Sequence, residues 1–505
     1  MRPNHSILRS ALLLTVVDLM LRGISMLFQG YLAGIIGPEG IGLVQLILTV
    51  GGLAMTFGLS GLRVSAMYLC AQEYGSGRPA GMQQAMRCCL RAGAVISALA
   101  ALGLYLASDY AAVRWICDAR AAQALRYLAL FLPVSCICAI LSGFFTACDR
   151  IGQLARVEIA ERLASVGLTY LLLRLWAADN AARACSAIVL GSSLACLGST
   201  AVLFAMYRSA CRAYGTLPKR LPMWGRLTRL CVPLALNAYL RAGLSSLEQF
   251  LIPWGLERAG RSYQASMAAY GTIHGMVFPI LMFPAAIVYA LADLLVPELA
   301  RCRAEENARR IHHLTRTCLR MGLLFALSVA SLMTALSDEL GMLIYKSADA
   351  GRYLRVFAPM ALMLYMDAMV DGMHKGLGEQ VACVRYNTIT SFLDVVLLYM
   401  FLPRYGIESY IVIFALTHAV NFYLSLRRLL LVTGYRMDLR FPARAAFCAA
   451  SACLAGFCIP RTAMIGTIAL RAGAYLAVFV LFLDLTGTFT AYDRRWLCHA
   501  LGGNR

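Results

Sequence analysis

Stretches of about twenty apolar residues, separated by short polar or basic turns, recur along the whole chain. A run of this length can cross the hydrocarbon core of a membrane as a helix. We count fourteen such runs and predict an all-α polytopic membrane protein. The predicted spans cover approximately 10–34, 41–70, 88–107, 125–147, 156–175, 185–207, 230–253, 267–296, 316–336, 353–374, 384–402, 407–430, 444–459 and 463–485.

The first apolar run carries a polar stripe. Asp18, Arg22, Ser25 and Gln29 follow one another at spacings of four, three and four, so a helix places them on one face. A charged side chain deep in a membrane is costly unless it faces the interior of a helix bundle or a hydrated cavity. We therefore predict that this helix lines a polar cavity.

The chain also repeats itself. The pattern Arg-Tyr-Leu-x-x-Phe-x-Pro at 126–133 returns at 352–359, and the stripe of the first span returns as Asn237, Arg241, Ser245 and Glu248. The copies are thus 219 to 226 residues apart and six spans long. Six is an even number, so both copies keep the same orientation and form a parallel repeat.

The repeat predicts the domain organisation. Residues 1–207 form an N-terminal six-helix lobe, 208–229 a basic cytoplasmic linker, and 230–430 a C-terminal six-helix lobe. Residues 431–505 add two extra helices and a cytoplasmic tail.

Composition and charge agree with a membrane protein. The chain has 505 residues, 60% hydrophobic and 14% charged, against about 25% charged in a typical soluble protein. Its net charge of +20 does not indicate nucleic-acid binding, because the basic residues lie mostly in the turns between spans and are more numerous in every second turn. With a cytoplasmic N-terminus, inner segments hold 30 Lys and Arg and outer turns 13, which places both termini in the cytoplasm.

The sequence contains no pattern typical of a cofactor site or of catalysis. The 18 cysteines are scattered through apolar runs without a second pair at metal-ligand spacing, so we expect packing residues and no bound metal. There is no phosphate-binding loop, zinc-protease motif or nucleophile elbow. We therefore expect a transporter that is not an enzyme, and not one driven by ATP hydrolysis in this chain.

Three arginines are the leading candidates for substrate binding. Arg22 and Arg241 occupy equivalent positions in the repeat, and the planar guanidinium suits a phosphate. The alternatives are an intrahelical Asp18–Arg22 pair that serves packing, and, for Arg63, an arginine that reaches the membrane interface. The further candidates on these two stripes are Asp18, Gln29 and Glu248.

A second set of polar residues lies in spans ten to twelve. Asp367, Asp371, Asn387, Asp394 and Thr417 predict a proton or sodium site that couples transport to an ion gradient. The alternative is ordinary hydrogen bonding between membrane helices.

Four stretches together resemble a known family. They read GPEGIGLVQL after span one, SGLRVSAMYLCAQEYGSG at the end of span two, SGFFTACDRIGQLARVEIAERLASV after span four, and LPRYGIESYIVIFALTH between spans eleven and twelve. With the repeat and the two extra helices, they resemble the multidrug/oligosaccharidyl-lipid/polysaccharide exporter superfamily. Within it they are similar to the branch of stage V sporulation protein B and polysaccharide biosynthesis proteins, which is related to the lipid II flippases.

The resemblance implies a flippase of the bacterial cytoplasmic membrane that moves an undecaprenyl-linked oligosaccharide or peptidoglycan precursor by alternating access. It implies a polyprenyl-pyrophosphate-linked sugar and membrane lipids as partners, H⁺ or Na⁺ as coupling ion, and a monomer. Arginines on early spans of each lobe hold the pyrophosphate in such relatives, a role that Arg22, Arg63 and Arg241 would fill. The chain departs from the branch at Leu62-Arg63-Val64, where a Pro-Thr-Ala-like stretch is usual.

Two other functions stay open at this point. The same fold serves cation-coupled multidrug exporters, although those favour an acidic cavity. An integral-membrane glycosyltransferase or polymerase of envelope sugars is a further alternative, but the outer turns here are short. The sequence does not choose among lipid II, a capsule or teichoic precursor and a sporulation substrate.

Overall fold

The structure is a computed structural model that describes residues 5–489, apart from 78, 149, 177–180, 213–222 and 459–464. Within that part of the chain every regular element is a helix, so the all-α prediction is confirmed. The helices are α1 His5–Leu59, α2 Leu62–Gly75, α3 Pro79–Arg114, α4 Ala121–Ala147, α5 Ile151–Trp176, α6 Ala181–Arg212, α7 Met223–Arg258, α8 Tyr263–Thr272, α9 Phe278–Met282, α10 Ala285–Ala304, α11 Ala308–Ala335, α12 Ser337–Tyr345, α13 Ala348–Phe357, α14 Ala361–Gly376, α15 Gln380–Tyr405, α16 Ile407–Thr433, α17 Arg440–Cys458 and α18 Ile465–Leu485.

The described residues contain 12 helical segments that are long and apolar enough to span a membrane. This number and the fourteen predicted spans differ for two reasons. The first two predicted spans form one segment of 57 residues, Leu19–Gly75. The fifth predicted span is present as helix α5, but α5 is not among the helical segments that are apolar enough to be counted. The chain is a multi-pass membrane protein.

Two local breaks shape the first long segment. Helix α1 is interrupted at Gly37, where φ is 69° and Pro38 follows. A second break at Ser60 and Gly61, with φ of 44° and 74°, separates α1 from α2. A Cβ at Gly61 would lie 2.9 Å from the Cβ of Leu234, so glycine both permits the left-handed turn and lets α7 approach the backbone.

The chain divides into two compact units. We call residues 36–257 with 261–271 the N unit, and residues 1–35, 258–260 and 272–505 the C unit. Their borders follow spatial contacts and differ from the lobes proposed from the sequence repeat. The lobes, the linker and the C-terminal addition at 1–207, 208–229, 230–430 and 431–505 stay a prediction.

Each unit has its own apolar core. In the N unit, α2, α3, α4, α6 and α7 meet around Phe144, which contacts Phe145 and Tyr207 edge to face at centroid distances of 5.4 and 5.0 Å. In the C unit, α17 and α18 pack against α11 through small residues of α17 and the rings of Tyr475 and Phe479. The two C-terminal helices are therefore packed onto the C unit.

One contact recurs in both units at the same internal spacing. Arg126 donates to Ser108-Asp109, with Nη2 2.7 Å from the Asp109 carboxylate and Nε 3.3 Å from the Ser108 hydroxyl. Arg355 makes the same two contacts with Ser337-Asp338, and its Nε lies 3.2 Å from the Ser337 hydroxyl. The structural partner of Arg126 is thus Arg355, one helical turn beyond Arg352, which the sequence pattern aligns with it.

Candidate functional site

Arg22 contacts the backbone beside a broken helix. After α8 the backbone makes a π-helical turn over Ile273–Val277, and α9 ends at Met282 before Phe283-Pro284 lead into α10. The last carbonyls of a helix lack partners within that helix and attract cations. Arg22 Nη1 donates to the Met282 carbonyl at 3.4 Å, so the arginine helps to satisfy a carbonyl at the break.

The other described residues of the first stripe are Ser25 and Gln29. Ser25 donates to the Leu21 carbonyl of its own helix at 2.8 Å, and Gln29 is half-buried. A Cβ at Gly30 would lie 2.4 Å from the Ile344 carbonyl oxygen, so this glycine seats α1 tightly on the C unit. The side chain of Asp18 lies outside the described residues, and the Asp18–Arg22 pair stays a prediction.

Arg63 begins a helix. It lies in the first turn of α2, two residues after Gly61, and its side chain is exposed. The free amides at a helix N-terminus attract anions, which adds to the charge of the side chain. Among the described residues, no carboxylate lies within ion-pair distance of Arg63.

Arg241 lies in the middle of α7, in the N unit, and is also exposed. Within the described part of the chain it has no carboxylate partner. Its neighbours on the stripe are exposed Ser245 and half-buried Asn237 and Glu248. Next to the stripe, Gln249 accepts hydrogen bonds from Thr49 at 2.6 Å and Tyr270 at 3.0 Å. These bonds fix α7 on α1 and α8 and leave Arg241 on the exposed side.

The acidic residues of α14 and α15 join a hydrogen-bonded network in the C unit. Asn421 donates to Asp367 Oδ2 at 2.8 Å, and Thr390 donates to the Asn421 side-chain oxygen at 3.1 Å. The other oxygen of Asp367 is buried and accepts no hydrogen bond from the described residues. A buried acceptor without a donor is costly, and a proton or a small cation would relieve that cost.

The other predicted residues are close to this network. Cys383 and Asn387 donate to the two oxygens of Asp371 at 2.9 and 3.5 Å. Thr417 donates to Asp394 at 2.8 Å, in a separate buried pair. The structure thus pairs Asp371 with Asn387 and Asp394 with Thr417, as interhelical contacts between α14, α15 and α16.

Tyr289 of α10 is a residue that the sequence reasoning missed. It lies within electrostatic reach of Arg22, Asp367 and Asp371, and 43% of its surface is exposed. The cation of the first span and the acidic pair of α14 therefore share one neighbour within the C unit. A lone tyrosine in an apolar helix gives no sequence signal of this kind.

Arg471 of α18 was also missed: it lies within the last predicted span, but the charge count assigns it to the outer side of the membrane. The structure buries it completely, in an ion pair with Glu339 of α12. Its Nε and Nη2 also donate to the carbonyls of Gly456 and Ala335, both at 2.9 Å. This arginine holds α11, α12, α17 and α18 together and is not available to a ligand.

Ionised side chains outside the spans form well-bonded clusters. Burial opposes ionisation of Asp118, but hydrogen bonds from the Arg120 side chain and backbone outweigh it and hold the Asp118 pKa below its usual range. The guanidinium of Arg428, 2.7 Å from Glu379, lowers the pKa of that carboxyl in the same way. These pairs belong to the ends of the helices.

No group of three or more His, Cys, Asp and Glu with the arrangement of a metal site occurs among the described residues. His374, which shares a helical face with Asp367 and Asp371, is buried and lies 2.9 Å from the Ser425 carbonyl. The intramembrane groups that a ligand can use are thus cations in both units and an acidic network in the C unit.

The comparisons with known proteins agree with this fold. Residues 7–289 match the family described as polysaccharide biosynthesis protein, and residues 259–400 match MatE. Stage V sporulation protein B of Bacillus subtilis (strain 168) is 20% identical over 407 residues, which is 79% of each chain.

Two solved structures share the fold. The lipid II flippase MurJ in an inward closed conformation has a TM-score of 0.70 at 11% identity, over 94% of this chain and 98% of that one. An inward-facing multidrug resistance MATE family transporter has a TM-score of 0.64 at 14% identity, over 83% and 96%. The resemblance expected from the sequence is confirmed. The chain belongs to the polysaccharide biosynthesis protein family, within the multidrug/oligosaccharidyl-lipid/polysaccharide exporter superfamily.

Proposed function

We propose that the protein is a flippase that translocates an undecaprenyl-linked oligosaccharide or peptidoglycan precursor across the bacterial cytoplasmic membrane by alternating access. The observation that carries this proposal is a pair of exposed arginines, Arg63 and Arg241, in helical segments long and apolar enough to span a membrane, with no carboxylate partner among the described residues. An unpaired charge within a membrane is costly in the absence of a ligand of opposite sign. A pyrophosphate supplies that charge.

In this mechanism no covalent bond changes. Arg63 and Arg241 are proposed to bind the pyrophosphate through charge-assisted hydrogen bonds, while the polyprenyl tail stays in the lipid. Arg22 is proposed as a further substrate-binding arginine. Gln29 and Glu248 are proposed to contact the sugar, since both are half-buried polar residues on the same stripes as the arginines. The role of Asp18 is to orient Arg22 from one turn earlier.

The driving ion is proposed to bind at the acidic network. The unsatisfied Asp367 oxygen is the proposed seat for H⁺ or Na⁺, with the Asp371–Asn387 pair nearby. The separate pair of Asp394 and Thr417 is proposed as a further ion-coupling group. Arg22 and the acids at this seat both lie within electrostatic reach of Tyr289, so we place the seat in the same region as Arg22. Ion binding would then change how strongly Arg22 attracts the head group.

The proposed topology has both termini in the cytoplasm, because 30 basic residues fall on that side and 13 on the other. The protein acts as a monomer in this proposal. The relatives named stage V sporulation protein B and lipid II flippase support a substrate from cell-wall or spore-envelope synthesis.

One observation favours a second candidate, a cation-coupled multidrug exporter. The match to MatE over residues 259–400 includes the acidic residues of α14 and α15. The exposed arginines count against a cationic drug, because like charges repel.

A transport assay distinguishes the two. Purified protein in liposomes is given either a fluorescent undecaprenyl-pyrophosphate-linked sugar or ethidium, with and without a pH or sodium gradient. Translocation of the lipid-linked sugar with no ethidium transport supports the proposal. Ethidium transport without sugar-lipid translocation would replace it with the exporter.

A further inference from the structure

A cavity in the C unit lies apart from the arginine stripes. It has a volume of about 610 Å³ and is enclosed by α11, α14, α16, the turn at 434–439 and the start of α17. Its interior is lined by large flexible or aromatic side chains, among them Leu319, Met366, Phe422 and Phe441. A lining of this kind adapts to hydrocarbon chains.

The rim of the cavity is basic. Arg316, Arg320 and Arg436 line it, with Asp438 as the acidic residue among the lining groups. Asp438 accepts a hydrogen bond from the Arg440 amide at 3.0 Å, and its single negative charge is outnumbered by the three arginines of the lining. Arg316 and Arg436 are exposed, and within the described residues no carboxylate neutralises them. The rim therefore carries uncompensated positive charge.

Arg320 is held in place at the same rim. Its guanidinium lies over the Phe441 ring, 4.3 Å from the centroid, and its Nη2 donates to the Thr488 carbonyl at 3.3 Å. These contacts fix the start of α17 and the end of the α18 segment around the cavity. The site is thus preformed by packing.

A second cleft of about 540 Å³ opens beside the first. The two share Leu426, Gly434, Tyr435 and Arg436 in their linings, and Arg427 lines the second. Tyr435 packs edge-on against His312 at a centroid distance of 5.1 Å, on the rim of the first cavity. The two clefts therefore adjoin along a shared wall that contains Arg436.

We propose that these two clefts bind one anionic phospholipid of the surrounding membrane, with the phosphate on Arg316 and Arg436 and one acyl chain in each cleft. Basic pockets between membrane helices on the cytoplasmic side suit anionic head groups. The rim belongs to segments that carry a strong excess of basic residues, 301–320 and 427–444, which the sequence places on the inner side. The proposal is independent of the proposed transport substrate.

Two other occupants fit the clefts less well. A polyprenyl lipid has a single chain, which would leave one cleft empty. The C-terminal residues 490–505 carry Arg494, Arg495 and Arg505 against one acid, Asp493, so their charge has the same sign as the rim. A two-chain anionic lipid matches both the shape and the charge.

The test uses the full-length protein and native mass spectrometry after incubation with phosphatidylglycerol, phosphatidylethanolamine, undecaprenyl phosphate or glycerol phosphate. We expect phosphatidylglycerol to remain bound in preference to the other three. Arg316→Ala with Arg436→Ala should weaken it roughly tenfold or more, because each basic residue near a membrane surface adds to anion attraction. Leu426→Trp should block it sterically, since Leu426 lines both clefts.

Arg309→Ala is the matched control, because Arg309 is exposed on the same helix and does not line either cleft. Its phosphatidylglycerol binding should equal that of the unchanged protein. Equal binding of phosphatidylethanolamine, or phosphatidylglycerol binding unaffected by both the arginine and the Leu426 variants, would overturn the proposal. Displacement by undecaprenyl phosphate would assign the clefts to the transport substrate instead, and displacement by glycerol phosphate to a free phosphate.

Discussion

Arg471 and Arg241 are both arginines in apolar helices, yet their surroundings differ completely. Arg471 is fully buried, paired with Glu339 and bonded to two carbonyls. Arg241 is exposed and has no carboxylate partner among the described residues. The comparison teaches that depth in a hydrophobic run does not identify a ligand-binding arginine. The groups that surround the arginine in the folded protein identify it.

Arg22 lies between these two extremes. It is half-buried and donates to a backbone carbonyl at a helix break, and it shares Tyr289 as an electrostatic neighbour with the acids of α14. The sequence treats Arg22 and Arg241 as equivalent members of a repeat, whereas the structure gives them different environments. We expect Arg22 to combine a structural with a binding role.

The largest effect should come from Arg471→Leu. Removing one partner of a buried ion pair leaves Glu339 uncompensated, which typically costs about 3–5 kcal/mol. The loss should be measured as the free energy of unfolding in a denaturant titration in detergent micelles. Arg471→Met with Glu339→Leu should recover most of this stability, and a double variant as unstable as the single one would show that the pair itself is not the cause.

Arg241→Ala should act on function alone. The loss of charge-assisted hydrogen bonds to the head group, about 1.5–3 kcal/mol, corresponds to about a tenfold to hundredfold fall in translocation of the lipid-linked sugar. The unfolding temperature should not change, because Arg241 is exposed. Arg229→Ala is the control, since Arg229 is exposed on the same helix near its start, and it should keep full activity.

Arg22→Ala should lower both the translocation rate and the stability of the protein by moderate amounts. Translocation should fall about tenfold, and stability should fall by about 1 kcal/mol because the Met282 carbonyl loses a hydrogen bond. Arg22→Lys should retain the charge and recover part of both losses. A variant that is destabilised with unchanged translocation would make Arg22 purely structural.

Asp367→Asn should affect coupling more than basal transport. It keeps the shape of the Asn421 contact and removes the charge at the unsatisfied oxygen. An imposed pH or sodium gradient should then no longer accelerate translocation, although transport without a gradient continues. Asp293→Asn, another change of an acid in the C unit, should leave the acceleration intact, and loss of acceleration in both variants would argue against a defined seat.

The smallest effect concerns an ion pair outside the membrane. The Asp118 pKa is lower in the folded state than its ordinary 3.8, so its stabilising contribution is present above pH 3.8 and is lost as the pH falls through the folded value. Asp118→Asn should therefore lower the unfolding temperature at pH 7 and make little difference once the pH lies below the folded pKa. Asp109→Asn, whose carboxylate is 66% exposed in its pair with Arg126, should change little at either pH.

Much of the fold can be predicted from the sequence, because the length of each apolar run and the basic residues of each turn are local properties of the chain. The polar stripes of α1 and α7 also follow from spacing alone. The acids of α14 and α15 make interhelical hydrogen bonds, and their role as an ion site stays a prediction. What the sequence does not contain is tertiary pairing. Glu339 and Arg471 are 132 residues apart in sequence, so the ion pair that buries Arg471 has no local signature.

The same limit explains the smaller differences. Gly37 interrupts α1 between the first two predicted spans, so both spans are present within the single segment Leu19–Gly75. The repeated Arg126 contact uses Arg355, although the sequence pattern aligns Arg352 with Arg126, because Arg355 is the arginine that reaches Ser337-Asp338. Tyr289 is identified by the charged groups that the fold brings near it.

The central claim is that the exposed arginines bind the phosphate of the substrate head group and that the buried one does not. The most direct measurement is the affinity of the purified protein for undecaprenyl pyrophosphate, compared between the unchanged chain and Arg63→Ala with Arg241→Ala. We predict a fall in affinity of about a hundredfold at an unchanged unfolding temperature. Equal affinity in both proteins would contradict the claim.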